Sequence, residues 1–293
     1  MLNNNLIRTS LIFLLSMAFS AQIWAGKKPY VEQPVPDERK ALVERAMPKT
    51  PFIYPKEARK VLVFSKAMGF AHKSIVTGKF ALQVMADQVE AFEVEFSENI
   101  KDYSLDNLKK YDVLLFNNNT KVEKFFKSDE SREDILTYLN EGGGVVGVHA
   151  ASDGGWPKYT EMIGGNFGGH PWTQNGMWGF KVKEASCDCV KHYPETFEFK
   201  DEIYQYKDFN KSNLRILLSL DMKHDATLNA KKQLVQGEEI AVSWVQQVGK
   251  GRVFYTNLGH RHETWHDKNF LKHLLGGIQI AAGDLEIDFT PTK

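Results

Sequence analysis

The sequence predicts an α/β protein with a doubly wound, mostly parallel sheet and an added β-rich C-terminal half. From residue 60 onwards, short and wholly apolar runs alternate with amphipathic segments of helical period. Such runs are typical of parallel strands that are covered on both faces. From residue 195 the pattern changes to strand-like segments that end in a hairpin signal.

The first half alternates strands with helices. Val76, Phe80 and Val84 form one helical stripe, and Ser128 is placed to cap a helix over residues 128–139, which Gly142 and its neighbours end. The strands share apolar or alternating patterns, and they are predicted at residues 61–64, 92–96, 113–116 and 145–148. Strand–helix–strand alternation of this kind predicts a doubly wound sheet.

The second half is richer in strands. Phe270, Leu274 and Ile278 lie on one face of a closing helix. The predicted strands carry aromatic and β-branched residues, and they are residues 195–209, 214–220, 240–247 and 252–257, the last two forming a hairpin that turns at residues 249–251.

The N-terminus resembles an export signal. Residues 11–19 form an apolar run that is too short to span a bilayer, and Arg8 is the only charge within residues 1–25. We expect cleavage after Ala25, with a cut after Ser20 as the rival, and therefore a periplasmic or secreted protein with no membrane association after cleavage. The chain then divides into an extended leader with at most one short helix, a main domain and a tail, at residues 26–57, 58–284 and 285–293.

Composition excludes several classes of partner. The chain has 37 Lys and Arg against 37 Asp and Glu, so no charge excess favours nucleic acid. No P-loop occurs, and no Gly-x-Gly-x-x-Gly run leads from a predicted strand into a helix as the dinucleotide fingerprint requires, so we expect no nucleotide cofactor. Cys187 and Cys189 are two residues apart and lack partners spaced for zinc, which leaves a strained disulfide or another local structural role.

Histidines follow several predicted strands. In open α/β sheets, ligands bind beyond the carboxyl ends of the strands. His72 follows the first strand, His149 follows the fourth, and His260 follows the last, while His170 lies between the two halves. One strand-end histidine is usually a hydrogen-bonded loop residue, but several that converge favour a site for metal binding or proton transfer.

A zinc-protease motif also occurs. His262-Glu-Thr-Trp-His266 matches H-E-x-x-H, which binds zinc only when both histidines share one helical face. Here the motif follows a strand and Gly259, and Asp267 is placed to cap the next helix. The sequence therefore disfavours the peptidase interpretation.

Ordered motifs along the chain resemble the ThuA-like (trehalose utilisation) family. They cover about residues 58–284 and are GFAH (69–72), NNNT (117–120), GGGVVGVHAASD (142–153), IGGNFGGHP (163–171), DEIY (201–204) and GKGRVFYTNLGH (249–260). The resemblance implies a class I glutamine amidotransferase-like, flavodoxin-like fold. Because His149 stands where amidotransferases carry their nucleophilic Cys, thioester chemistry is not expected.

The resemblance implies sugar metabolism. We expect an enzyme that acts on a small carbohydrate, such as a glycoside or a 3-keto-disaccharide, and a non-catalytic carbohydrate-binding protein is the alternative. A divalent metal, with zinc considered first, would bind His149, His170 and His260, with His72 as a fourth ligand or an acid–base group. Glu263 or Asp153 would be a general base or a supporting carboxylate. Candidate substrate contacts, some of which can equally be packing or turn residues, are Asn118, Asn119, Trp156, Trp172, Trp265 and Tyr204.

Overall fold

A computed structural model describes residues 32–230 and 239–292. The strands are β1 Lys60–Phe64, β2 Glu93–Phe96, β3 Val113–Asn117, β4 Gly144–Val148, β5 Asn166–Phe167, β6 Trp178–Val182, β7 Thr196–Phe199, β8 Tyr206–Lys207, β9 Arg215–Leu220, β10 Ala241–Val248 and β11 Gly251–Thr256. The helices are α1 Asp37–Ala46, α2 Ile75–Val89, α3 Leu105–Leu108, α4 Asp129–Asn140, α5 Pro157–Ile163, α6 Asp225–Ala230 and α7 Lys268–Ala282. The predicted signal segment, residues 1–25, lies outside the described residues.

Nine strands form one sheet in the order β2-β1-β3-β4-β11-β10-β9-β6-β7. The strands from β2 to β11 in this order pair in parallel. The remaining strands, from β10 to β7, are added antiparallel. The predicted fold class is confirmed, and the β-rich second half extends the parallel sheet instead of forming a layer of its own.

Helices cover both faces of the sheet. Val61 and Val63 of β1 face a core that α2 and α7 complete. Leu62 and Phe64, which point the other way, face a second core that includes residues of α4 and α5. This arrangement explains why the parallel strands read as continuous apolar runs, since both faces of each strand are buried.

The strand predicted over residues 195–209 is confirmed only near its two ends, and its continuity is wrong. The segment forms β7, leaves the sheet at residues 200–205, and ends in β8, which pairs with β5 in a separate two-stranded ribbon. Asp201 accounts for the departure, because its buried carboxylate accepts hydrogen bonds from the backbone of Gly259 and Arg261. The chain is thereby held over the carboxyl edge of the parallel strands.

Segments on either side of residues 58–284 pack against the sheet and its helices. α1 contacts α2, and its Val43 is fully buried. The Phe52 N–H donates to Gln279 Oε1 at 2.9 Å, and the Ile216 N–H donates to Thr292 Oγ1 at 2.9 Å. The described part of the predicted leader is therefore helical over ten residues and packed.

Cys187 and Cys189 form a buried disulfide. His273 of α7 lies beside it, with Nδ1 2.9 Å from the Cys189 carbonyl oxygen. The disulfide joins two residues of one turn. Among the described residues, neither cysteine contacts His149. Within the described ranges, no helix combines the length and apolar character needed to cross a membrane.

Candidate functional site

Three of the predicted histidines meet at the carboxyl edge of the parallel strands. The ring centroids of His72 and His149 are 4.9 Å apart, and His260 lies 4.9 Å from His72 and 5.0 Å from His149. The three rings come from the loops after β1, β4 and β11. Parallel pairing brings these strand ends together, as the topology predicts.

Glu202 completes what we call the His–Glu cluster, consisting of His72, His149, Glu202 and His260. One carboxylate oxygen lies 3.2 Å from His260 Nδ1 and 3.8 Å from His149 Nε2. One ligand atom from each of the four residues lies within 4.8 Å of the others. Three imidazoles with one carboxylate form a donor set that suits a divalent transition metal.

The ring of His149 is held in a fixed orientation. Its backbone has φ +47°, a left-handed conformation that is uncommon outside glycine and marks the turn from β4 into the site. Nδ1–H donates to the Asn257 carbonyl oxygen at 2.6 Å, which leaves the Nε2 lone pair facing the cluster, 3.1 Å from His260 Nδ1. Burial, together with the neighbouring His72 and His260, holds the pKa of His149 well below its usual range. A neutral imidazole is the form that binds metal.

His72 has a polar atom without a partner. It is almost fully buried, its Nδ1 makes no hydrogen bond within the described residues, and its Nε2 lies 3.5 Å from the Tyr204 hydroxyl. Burial lowers the pKa of His72 to about 3, with smaller effects from His260 and His170. A buried nitrogen without a partner costs free energy unless a ligand satisfies it. The environment of His72 therefore fits a bound ligand.

Asp201 holds the loop that carries His260. Its carboxylate accepts from the Gly259 N–H at 2.7 Å, from the Arg261 N–H at 3.1 Å and from the Thr264 hydroxyl at 2.9 Å. Burial raises the pKa of Asp201 to about 6, while these donors favour the charged form. The carboxylate is therefore ionised at pH 7 and fixes the backbone on both sides of His260.

We expect Asp201→Asn to weaken both the fold and the site. The asparagine side chain has one acceptor oxygen where the carboxylate has two. Its NH₂ group would face backbone N–H donors, which would lose their acceptor, and the free energy of unfolding should fall by about 2–4 kcal/mol. Metal affinity should fall by roughly 10- to 100-fold, as for other groups that orient a ligand.

Urea denaturation and a chelator competition measure these two effects. Asp208→Asn is the matched control, because Asp208 is exposed and Asn tolerates its φ of +53°. Equal stability and affinity in both variants would contradict the positioning role of Asp201.

His170 and Tyr204 lie beside the cluster. His170 Nδ1 is 3.4 Å from the other oxygen of Glu202, and the side chain is 50% exposed. The Tyr204 ring lies 4.3 Å from the His149 ring, and its backbone N–H donates to Asn257 Oδ1. His170 was predicted as a ligand with His149 and His260; in the structure His72 and Glu202 complete the four-residue cluster with those two, and His170 contacts it through Glu202.

Asn118 and Asn119, which were predicted to contact substrate, are buried and bind backbone. The Asn118 amide donates to the Gly259 carbonyl oxygen at 3.2 Å, and the Asn119 amide donates to that of Lys66 at 2.9 Å. Their hydrogen bonds therefore connect the loops that surround the cluster.

The tryptophans predicted to stack on sugar are buried. Trp172 and Trp265 have no exposed surface, and their indole N–H groups donate to the carbonyl oxygens of Thr227 and Gly259. Trp156 is 8% exposed and lines a cleft of about 800 Å³ with Phe209. Neither Trp172 nor Trp265 offers a ring face to a ligand, because both complete the packing beneath the site loops.

The two carboxylates predicted as bases lie outside the cluster. Glu263 pairs with Arg261 at 3.0 Å, and its side chain is 58% exposed. Asp153 follows the turn after His149, its carbonyl oxygen accepts from the Lys121 N–H, and burial raises the pKa of its carboxyl group. Glu202 has the position that these two residues were predicted to have.

The H-E-x-x-H segment does not form the helix of a zinc protease. Residues Thr264–His266 make a single 3₁₀ turn, and Asp267 caps α7 through the N–H groups of Asn269 and Phe270, as predicted. His262 Nδ1 lies 2.8 Å from the Thr77 hydroxyl. The motif therefore lacks the shared helical face that its chemistry requires.

Comparison with known proteins identifies the family. A sequence model of the ThuA family, described as trehalose utilisation, matches residues 60–281. A ThuA-like protein from Bacteroides uniformis has a similar structure, with 23% identity, a TM-score of 0.62, and coverage of 77% of this chain and 92% of its own. Another from Parabacteroides merdae has 18% identity, a TM-score of 0.55, and coverage of 79% and 92%. The comparison with curated proteins gave no match. The chain belongs to the ThuA family.

Proposed function

We propose that this member of the ThuA family is a metal-dependent enzyme that breaks down a small glycoside. The observation that carries the proposal is the His–Glu cluster, whose four donor atoms lie within 4.8 Å of one another. Two ligands on opposite sides of a metal stand about 4.2 Å apart when each bond is about 2.1 Å. The cluster therefore needs only small side-chain movements to surround one ion.

The donor atoms also have the right protonation. His149 presents a neutral Nε2, because its Nδ1–H is committed to the Asn257 carbonyl oxygen. His72 is kept neutral by burial and has a nitrogen without a partner. Glu202 supplies the negative charge. These features favour a bound cation over a purely structural hydrogen-bond network.

A divalent metal in the cluster would polarise a sugar carbonyl or activate a water. The residues around it have separate roles. The metal would be held by the four residues of the His–Glu cluster, His149, His72, His260 and Glu202. Asp201 keeps His260 in place through the adjacent backbone N–H groups. His170 is half-exposed and lies 3.4 Å from Glu202, so we assign proton transfer at the substrate to its imidazole.

The family description supports a sugar as the substrate, since trehalose is a disaccharide. A 3-keto-disaccharide is the form we test first, because its carbonyl gives a metal an oxygen to polarise. The signal-like residues 1–25 support an exported enzyme. Cys187 and Cys189 have no role in this reaction, since their sulfurs are joined to each other.

Metal analysis of the purified full chain, followed by product detection, tests the proposal. We expect about one equivalent of a divalent metal per chain, and cleavage of ordinary or 3-keto-disaccharides that stops with a chelator and returns with added metal. His149→Ala should lose metal, while His224→Ala, whose imidazole pairs with Glu198 away from the site, should keep it. A metal-free chain, or a metal-loaded chain that cleaves no disaccharide of either kind, would overturn the proposal.

A further inference from the structure

Phe70 is an exposed aromatic residue at the edge of the His–Glu cluster. Phe70 is 63% exposed, and Met68 on the same loop is 43% exposed. The Phe70 ring centroid is 4.8 Å from that of His72, edge to face, and 6.4 Å from that of His260, with only 18° between the planes. Single exposed apolar residues are common, so the contacts of Phe70 matter more than its exposure.

The loop that carries Phe70 is fixed to its neighbour. The Met68 N–H donates to the Thr120 carbonyl oxygen at 3.1 Å, and the Thr120 hydroxyl lies 3.0 Å from the carbonyl oxygens of both Met68 and Phe70. Gly69 between them has φ +98°, which a side chain would strain. These contacts hold Phe70 at the site and leave most of its surface open to solvent.

The other aromatic residues near the site are less accessible. Trp172 and Trp265 are fully buried. Phe167 is half-buried, stacks on His170 with ring centroids 5.9 Å apart, and packs against Tyr204. Of these described aromatic rings, Phe70 therefore offers the largest exposed surface to a ligand that reaches His72 and His260.

We propose that Phe70 forms a stacking subsite for a pyranose ring of the substrate. The face of an aromatic ring carries partial negative charge, and a pyranose presents a face of axial C–H bonds with partial positive charge. A ring placed on Phe70 has its polar edge next to the cluster. This inference rests on the proposed function for the class of substrate, and adds that the sugar must be cyclic.

Direct binding measurements test the subsite without requiring turnover. The probes are methyl α-D-glucopyranoside and the acyclic polyol sorbitol, titrated into the full chain by calorimetry. We expect the pyranoside to bind more tightly than sorbitol. Phe70→Leu should weaken pyranoside binding by about 10-fold, because the apolar bulk stays while the ring face is lost, and Phe70→Tyr should preserve binding.

Tyr54→Leu is the matched control. Tyr54 is 64% exposed. It follows Phe52 and Ile53, whose backbone groups hydrogen-bond to Gln279 in the last turn of α7, whereas the site lies beside the first turn of that helix. Metal content should be unchanged in all three variants. Equal pyranoside binding by the wild type and Phe70→Leu, or no preference for pyranoside over sorbitol, would overturn the subsite while metal and turnover remain. A wild-type chain that holds no metal, or that cleaves no disaccharide, would instead overturn the proposed function.

Discussion

Glu202→Gln is expected to lower the affinity of the chain for zinc by more than about 100-fold. Mutation of a group that only orients a metal ligand already lowers metal affinity by about 10- to 100-fold, and Glu202 is proposed as a ligand itself. The Glu202 carboxylate faces His149, His170 and His260 at 3.2–3.8 Å. It supplies the only negative charge in the His–Glu cluster, because Glu202 is the only carboxylate among its four residues. Glutamine keeps the size of the side chain and removes that charge, so the cation loses both a ligand and its charge partner.

Competition with a chromogenic chelator measures the affinity, and the thermal midpoint of the metal-free chains checks the fold. Glu198→Gln, four residues earlier on β7, removes an exposed carboxylate that pairs with His224 and should bind zinc as the wild type does. Glu263→Gln tests the carboxylate that the sequence favoured, and it should have a small effect, because Glu263 pairs with Arg261 away from the cluster. Equal loss of zinc in Glu263→Gln and Glu202→Gln would contradict our site.

The three histidines were predictable because their positions follow from topology. His72, His149 and His260 come after strands that read as buried parallel runs, and the carboxyl ends of parallel strands share one edge of the sheet. Each of them needed only correct recognition of its own strand. The paired order of the strands then placed the rings within about 5 Å of one another.

Glu202 was not predicted, because the signal for its position is distant in sequence. Residues 200–205 lie between the alternating residues 196–199 and the aromatic Tyr206, so one continuous strand was predicted through them. What takes the chain out of the sheet is the bonding of Asp201 to the loop at Gly259, 58 residues away. The family motif DEIY was the available signal, and only its Tyr204 was selected as a site residue.

The tryptophans show a second limit of local patterns. Trp172 and Trp265 lie near histidine motifs, and proximity in sequence predicted a rim for sugar binding. Each indole N–H instead donates to a backbone carbonyl within the fold, a hydrogen bond that allows a large ring to be fully buried. Burial of this kind depends on loops far apart in sequence, whereas the ring of Phe70 beside the His–Glu cluster stays exposed.

His260→Ala and His266→Ala are expected to separate the two metal sites that the sequence allows. His260 follows β11 closely, is 9% exposed at its side chain, and lies 3.1 Å from His149 and 3.2 Å from Glu202. His266 ends the 3₁₀ turn before α7 and is not among the four cluster residues. Loss of a full ligand should weaken binding by several kcal/mol, on the order of 100-fold or more, because an open site has few ligands to spare.

Metal content of the two variants, purified and measured together, decides between the sites. We expect His260→Ala to lose its metal and His266→Ala to keep it, because the strand ends gather the ligands and the H-E-x-x-H segment is a single 3₁₀ turn. In a zinc-protease site the pattern would be reversed, since His262 and His266 would both be ligands. His262 lies 2.8 Å from the Thr77 hydroxyl and is engaged there instead. Retention of metal by His260→Ala with loss from His266→Ala would therefore contradict the site and the placement of this loop together.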